Sequence, residues 1–398
     1  MKRVLLASTA LGLGAGMAAA QDMGMMDGPA LALSGSAEMG VAGSKDDSVR
    51  FHTDIDITFK ATGTMDSGVT WSADVDLDEG GSGAAAHAND DDDGGVTIAI
   101  SQPDGFGTLT MGDTDGGYDW AMTELPGGGL RDEVEHAAHS GNGGLDGDYD
   151  GQVLRYDRAI AAGFSFGASV ELDDDTGGTE GSDVGDPIIG LGGKYEMGMG
   201  AGTLSLGGGY QTGGYRYSSD DELTPIFQDF ETTAEINADV FGGSAKMDFG
   251  GDAGGIAVTL NASMGEIDAS HSTTGANANT ETLDGEFTHG GAGLEYTVGA
   301  VSLAVNVGSL TEELTYDPSG DDSGDRLIGD ATTTGVGFGA SYDLGGGAAL
   351  KFGIGNSETE FDYTREADGT NPANTSDSVT EDSNTDAYKW SLGVAFSF

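Results

Sequence analysis

The sequence predicts an all-β protein, a sixteen-stranded antiparallel transmembrane β-barrel. Apolar residues alternate with small or polar ones along most of the chain, and short turns alternate with long loops. The alternation is plainest at the C-terminus, where the strand period of two places every large apolar side chain of residues 387–398 on one face. These side chains are Tyr388, Trp390, Leu392, Val394, Phe396 and Phe398.

This last strand suits a closed barrel in lipid better than a soluble core. A core strand at a chain end frays, whereas in a barrel the last strand pairs with the first and removes both sheet edges. Aromatic residues form girdles at the two membrane interfaces of such barrels. We therefore expect Trp390, Phe396 and Phe398 to anchor the barrel in the membrane.

The composition excludes several classes of protein. The chain has 398 residues, 72 of them glycine, no cysteine and a formal net charge of −53. The lack of cysteine excludes a disulfide framework, a thiolate nucleophile and cysteine-bound zinc. The acidic charge, with no basic patch to offset it, excludes nucleic-acid binding. Part of the charge is explained by a solvated surface alone, because the acids cluster in the predicted loops.

Residues 1–20 have the form of a secretory signal peptide. Lys2 and Arg3 precede a short apolar run that ends in the alanines 18–20. A basic start, a short apolar stretch and small residues at the cleavage site are the three parts of such a peptide. We therefore expect an exported protein whose residues 21–398 form a single barrel domain.

The strands follow one another along residues 31–398. In the segment 49–62, Phe51 and Ile55 lie on the apolar parity, while the other parity is too charged for a packed interior. The same pattern recurs through the chain. The sixteen predicted strands are 31–43, 49–62, 69–78, 96–101, 107–114, 152–159, 164–172, 188–199, 203–218, 233–249, 256–270, 286–298, 301–316, 332–344, 349–365 and 387–398.

The connections between these strands alternate in length. Short turns are predicted at 65–68, 103–106, 160–163, 200–202, 250–255, 299–300 and 345–348. Long, mostly acidic loops are predicted near 80–94, 115–150, 173–187, 219–232, 271–285, 317–331 and 367–386. Short turns on one side and long loops on the other are typical of outer-membrane barrels, and an open soluble sheet gives no reason for this asymmetry.

The parity of the strands decides which side meets lipid. A charge on the lipid face at mid-depth costs about 2–4 kcal/mol, and the charged residues are largely confined to the other parity or to the strand ends. Sixteen strands close a cylinder too wide for side chains to fill. The sequence therefore predicts an aqueous channel.

Three stretches resemble the general diffusion porins of alphaproteobacteria. They are TFKATGTMDSGVTWSADVD at 58–76, GFGTLTMG at 105–112 and GFGASYDLGGG at 337–347, and the terminal Phe398 adds to them. The resemblance covers nearly the whole mature chain. It implies a homotrimer in the outer membrane whose third long loop folds into each barrel, sets acids against bases on the wall and narrows the pore.

The third long loop, residues 115–150 and called loop 3 from here on, is the longest in the chain. A loop of this length without strand pattern is usually functional or disordered, and an outward flexible loop is the alternative to an inward constriction. Residues 121–125 and 131–139 are each expected to form a helical turn. The candidate constriction residues are Asp115, Asp119, Glu124, Arg131, Asp132, Glu133 and Glu135.

The predicted pore favours cations, because rings of acids lower the barrier for them. Few bases offset these acids on the predicted wall. The candidate wall residues are Arg50, His52, Asp54, Lys60 and Arg155.

A calcium site is a candidate for a bound ion, and no cofactor is required by the predicted function. Asp146, Asp148, Asp150 and Asp157 have a spacing that resembles a calcium loop. The final ligand of such a loop is normally a glutamate, and no helix flanks this segment. A plain acidic loop is the alternative interpretation.

The predicted function is passive diffusion of small hydrophilic solutes and ions, with lipid and lipopolysaccharide as the surroundings. No set of serine, histidine and acid suggests a catalytic residue. The alternative is an exported, acidic, β-rich surface protein that binds calcium or carbohydrate. A soluble sandwich would bury the apolar face instead of turning it outward.

Overall fold

Sixteen antiparallel strands close into a barrel in the computed structural model of the chain. The structure describes residues 29–45, 48–81, 95–102, 104–130, 144–145, 152–172, 186–200, 202–221, 230–251, 254–273, 279–317, 326–366 and 379–398. The predicted signal peptide, residues 1–20, lies outside the described residues.

The strands are numbered in chain order, and each pairs with its neighbours in sequence. They are β1 Ala30–Ser44, β2 Arg50–Thr64, β3 Thr70–Gly81, β4 Val96–Gln102, β5 Gly107–Gly112, β6 Val153–Ala161, β7 Phe164–Glu171, β8 Asp186–Met199, β9 Gly202–Asp221, β10 Phe230–Gly251, β11 Gly254–Thr273, β12 Asn279–Val298, β13 Val301–Asp317, β14 Arg326–Gly345, β15 Ala348–Glu366 and β16 Val379–Ser397.

The two chain ends of the barrel meet as the sequence predicts. Strand β1 pairs with both β2 and β16. The amide of Gly35 donates to the carbonyl of Phe398 at 2.9 Å, and the amide of Phe398 donates back to Gly35 at 3.0 Å. The terminal residue therefore takes part in closure, and no sheet edge is left there.

Several strands continue beyond their predicted ends on the side of the long loops. Strand β12 begins at Asn279 instead of 286, β14 at Arg326 instead of 332, and β16 at Val379 instead of 387. The apolar alternation stops where a strand leaves the lipid, but hydrogen bonds to the neighbouring strand continue past that point. The hydrophobic pattern therefore marks the membrane band and not the whole strand.

Large apolar side chains point outward from the barrel, and small or polar side chains point inward. On β11, Leu260 and Met264 are exposed on the outside, whereas Asn261 and Ser263 are buried on the inner face. The same alternation holds on β16, where Leu392 is exposed outside. An exposed apolar exterior fits hydrocarbon as the surrounding medium, and the prediction of the lipid-facing parity is confirmed.

One helix is present among the described residues, α1 at Gly117–Ala121 in loop 3. Within the described part of the chain, no helix is both long and apolar enough to cross a membrane. The helical turn predicted at 121–125 is wrong, because Met122 is already extended. Leu125 precedes a proline, which disfavours helical backbone there. The turn predicted at 131–139 lies outside the described residues.

Candidate functional site

Loop 3 leaves β5 and runs into the barrel instead of away from it. Its first anchors lie on β6 and β7: the Nη1 of Arg155 donates to the carbonyl of Asp115 at 2.6 Å, and the amide of Gly117 donates to the Oγ of Ser169 at 2.7 Å. The ring of Tyr118, in α1, is fully buried against the inner wall. The start of the loop is therefore held down on the wall.

The next two anchors lie further round the barrel. The amide of Thr123 donates to the Oγ of Ser244 on β10 at 2.9 Å. The Nδ2 of Asn306 on β13 donates to the carbonyl of Pro126 at 2.6 Å. Both hydrogen bonds satisfy backbone groups that would otherwise be left without a partner inside the barrel.

The last described anchor lies on β16, the strand that pairs with β1 and so closes the barrel. The amide of Leu130 donates to the Oγ of Ser391 on β16 at 2.9 Å, across 261 residues of sequence. The anchors on β6, β7, β10, β13 and β16 together carry the loop from one side of the interior to the other. The inward fold of loop 3 is therefore confirmed.

Glycines on the inner face make room for this loop. A Cβ added at Gly192 or Gly207 would overlap a carbonyl oxygen of α1, and one at Gly293 would overlap the ring of Pro126. A Cβ at Gly339 would likewise overlap the backbone of Gly128. Glycine is the residue that permits such close approach of two backbones. We call these four inner-face glycines the loop track.

An aromatic side chain fixes the beginning of loop 3 between two cations. The Nζ of Lys194 lies 4.3 Å from the centre of the Trp120 ring, and the guanidinium carbon of Arg155 lies 6.0 Å from it. A Cβ at Gly167 would lie 2.8 Å from the same ring. Cation–π contacts of this kind are attractive, so these two wall bases hold the loop in place.

The sequence profile of the Gram-negative porin family matches residues 7–363 of the chain. The chain belongs to the Gram-negative porin family. It is therefore a protein of the outer membrane. No curated protein matches the chain by sequence.

Two solved structures have a fold similar to that of this porin. One is a porin refined at 1.8 Å resolution, which is 22% identical, with a TM-score of 0.56 over 93% of this chain and 100% of that chain. The other is the outer-membrane protein OmpT of Vibrio cholerae in its trimer form, which is 13% identical, with a TM-score of 0.52 over 94% of this chain and 100% of that chain. At these identities the similarity concerns the fold alone.

The candidate constriction residues of this porin fall into two groups. Asp115, Asp119 and Glu124 belong to the part of loop 3 that crosses the interior, and all three are half-buried. The remaining candidates lie outside the described residues and stay predictions; they are Arg131, Asp132, Glu133 and Glu135.

The candidate wall residues all lie on inner-face positions of β2 and β6. His52 and Asp54 are only 6% and 4% exposed, so they are covered and do not face open water. Close to them, Leu130 packs against Gly40, the residue directly opposite His52 in the register. Arg50 and Arg155 are half-buried, and Lys60 is exposed.

In the described part of the chain, several bases of the inner face are paired with carboxylates. The Nζ of Lys60 lies 2.7 Å from Asp74, and the Nε of Arg155 lies 3.5 Å from Asp157. Neither Lys246 nor Lys351 was a candidate from the sequence. They pair with Glu295 at 2.9 Å and with Glu38 at 2.8 Å, respectively.

The structure describes the predicted membrane anchors but only one residue of the predicted calcium site. Asp146, Asp148 and Asp150 lie outside the described residues, while Asp157 is on β6 beside Arg155, so the calcium site stays a prediction. Trp390 and Phe396 lie on outward positions of β16, and Phe398 directly follows the strand. The Trp390 ring covers Gly43, and Phe396 and Phe398 are exposed.

Apart from Arg155, which was a candidate wall residue, sequence reasoning missed the residues that hold loop 3. The inner-face parity carries a glycine two residues from a serine at several anchors, as in Gly167 and Ser169 or in Gly242 and Ser244. Such a pair leaves room for a backbone and supplies an acceptor for its amide. This spacing is the signal by which the anchors can be found.

Proposed function

We propose that this porin forms a water-filled channel for passive diffusion of small hydrophilic solutes, with no catalytic step. The observation that carries the proposal is loop 3 lying across the interior on anchors from five strands. A barrel of sixteen strands is wider than its side chains can fill. A loop fixed inside it leaves a narrower passage, which sets a size limit.

We further propose that the channel favours cations. The inner-face bases Lys60, Lys246 and Lys351 each have a carboxylate within 3 Å, so their charge is locally offset. The same face carries further exposed carboxylates, and acids along a pore lower the barrier for cations. These carboxylates are Asp76, Glu196 and Asp248.

Two measurements test these proposals. Liposomes that contain the refolded porin are placed in neutral sugars of increasing size, and swelling should be fast for small sugars and fall steeply beyond a cutoff. In planar bilayers under a salt gradient, the reversal potential should have the sign of cation selectivity. Liposomes that swell no faster than empty ones would contradict a diffusion channel, and an anion-selective potential would contradict the charge argument alone.

We propose a homotrimer in which the other two copies cover the side of the barrel that has the shortest strands, β4 and β5. Strands β4 and β5 have 7 and 6 residues, whereas β10 has 22. A strand rises about 3.3 Å per residue, so six or seven tilted residues span less than the apolar band of about 25 Å. The OmpT structure is a trimer form. Chemical crosslinking of the unheated porin should give trimers and no larger species.

Lipid and lipopolysaccharide are the proposed surroundings of the outer face. Above the apolar side chains, on the long-loop side, outward carboxylates stand directly opposite one another on neighbouring strands. Like charges placed opposite each other destabilise a sheet, and divalent cations between this row and lipid phosphates would relieve the repulsion. The row comprises Asp239, Glu266, Glu286, Glu313, Asp330 and Asp362.

A further inference from the structure

Three potential metal ligands meet on the inner face where β1 pairs with β2. Glu38 lies directly opposite Asp54 in the register, and His52 occupies the neighbouring inner-face position of β2. One ligand atom of each residue lies within 4.8 Å of the other two, and all three residues are more than nine-tenths buried. We propose that Glu38, His52 and Asp54 bind a divalent transition-metal ion, with Zn²⁺ as the representative.

The donor set suits such an ion. Imidazole nitrogen and carboxylate oxygen both bind Zn²⁺ at about 2.0–2.2 Å, which places the ligand atoms of a tetrahedral site about 3.3 Å apart. The Nε2 of His52 lies 3.7 Å from the Oε2 of Glu38. Small rotations of three side chains therefore close the site. Imidazole is not a ligand that Ca²⁺ favours, so Zn²⁺ should bind better than Ca²⁺.

A lysine from another strand orients the carboxylate of Glu38. The Nζ of Lys351 donates to the Oε1 of Glu38 at 2.8 Å, which leaves Oε2 on the side of His52. Hydrogen bonds that fix a ligand in this way typically raise metal affinity by about 10–100-fold. Lys351 lies on β15, so the contact reaches across β16 to β1.

The surroundings also favour a cation between the two acids. Glu38 and Asp54 bring two buried carboxylates to directly opposite positions of β1 and β2, and a divalent cation between them would be attracted to both. All three ligands are buried, so little bulk water competes for the site.

The proposed ion would link β1 to β2, next to the pairing of β1 with β16 that closes the barrel. Its ligands lie on β1 and β2, and β1 is the strand that pairs with β16. Three protein ligands leave one tetrahedral position for water. Because the unfolded chain lacks this arrangement, metal binding should stabilise the folded barrel.

The test is titration of the full-length mature porin, refolded in detergent and freed of metal by a chelator, with Zn²⁺ in a calorimeter. We expect one site per chain and a higher unfolding temperature with Zn²⁺ than with Ca²⁺. His52→Gln should weaken Zn²⁺ binding by at least about tenfold. Co²⁺ in place of Zn²⁺ should give the intense visible bands of a tetrahedral nitrogen and oxygen site in the wild type and not in this variant.

Two controls separate this site from other histidines. The double variant His136→Gln/His139→Gln removes the two loop 3 histidines, and His289→Gln removes another buried inner-face histidine. Both should keep the wild-type affinity. If His52→Gln does not refold, Asp54→Asn replaces it with the same expectation. The proposal is overturned if the wild type binds no Zn²⁺, if both site variants bind it normally, or if the control variants lose it.

Discussion

Gly207 tests whether the loop track holds the constriction in place. A methyl group at this inner-face position of β9 would lie 3.0 Å from the carbonyl carbon of Ala121 and nearer still to its oxygen, and 2.8 Å from the Oγ of Ser244. Carbon atoms pack at about 3.5–4.0 Å, and because the methyl group would overlap the carbonyl oxygen of Ala121 outright, α1 must retreat by about 1 Å or more. Because the strand is fixed by its two neighbours, loop 3 is the part that moves.

The size of the effect follows from comparing the free energy of overpacking with the free energy that each loop anchor contributes. Overpacking of one methyl group costs about 1–3 kcal/mol, and each loop anchor contributes about 1 kcal/mol. The strain in Gly207→Ala is therefore enough to release one or two anchors, including the hydrogen bond of Thr123 to Ser244. We expect a larger single-channel conductance in planar bilayers, with the barrel still folded.

Gly208→Ala is the matched control. Gly208 points outward, and an added Cβ there would meet only the carbonyl of Gly242, at an ordinary 3.5 Å. This variant should conduct like the wild type. If Gly207→Ala has the same conductance as Gly208→Ala and the wild type, the loop track does not control the pore, and the reasoning from close backbone approach is refuted.

Three further substitutions test the anchors, the ion pairs and the lipid face. Ser391→Ala should leave the buried amide of Leu130 without its acceptor, at a cost of about 1–3 kcal/mol, and limited proteolysis should then cut loop 3 faster in the folded barrel. Lys351→Met should lower the unfolding temperature clearly, because its carboxylate partner is buried, whereas Lys60→Met should change it little, because Lys60 is exposed; equal shifts would contradict this. Leu260→Arg places a charge in lipid and should lower the free energy of unfolding in vesicles by about 2–4 kcal/mol; an unchanged value would mean that this face does not contact hydrocarbon.

The strands were largely predictable because the lipid imposes a strict period of two. In β11 and β13 the outward parity is apolar without exception from Ile256 to Met264 and from Val301 to Val307, and these registers agree with the structure. The strand ends beyond the membrane were not predictable in the same way. There the strands are held by backbone hydrogen bonds, which leave no hydrophobic pattern to read.

The site was less predictable than the fold. Charged residues of loop 3 attract attention in a sequence, but what holds this loop is mainly a set of serines, an asparagine and glycines on the inner face, together with Arg155 and Lys194. Their spacing in sequence says nothing about which of them face each other across the barrel. His52 and Asp54 look like pore-lining residues by parity, and only their burial in the folded barrel shows that they are covered.

The most direct test of a water-filled barrel is the electrical behaviour of the refolded porin in a planar bilayer. Addition of the purified protein should raise the membrane current in discrete, ohmic steps without any ligand or energy source. Bilayers that stay silent although the porin has inserted, as judged by protease protection, would contradict the central claim.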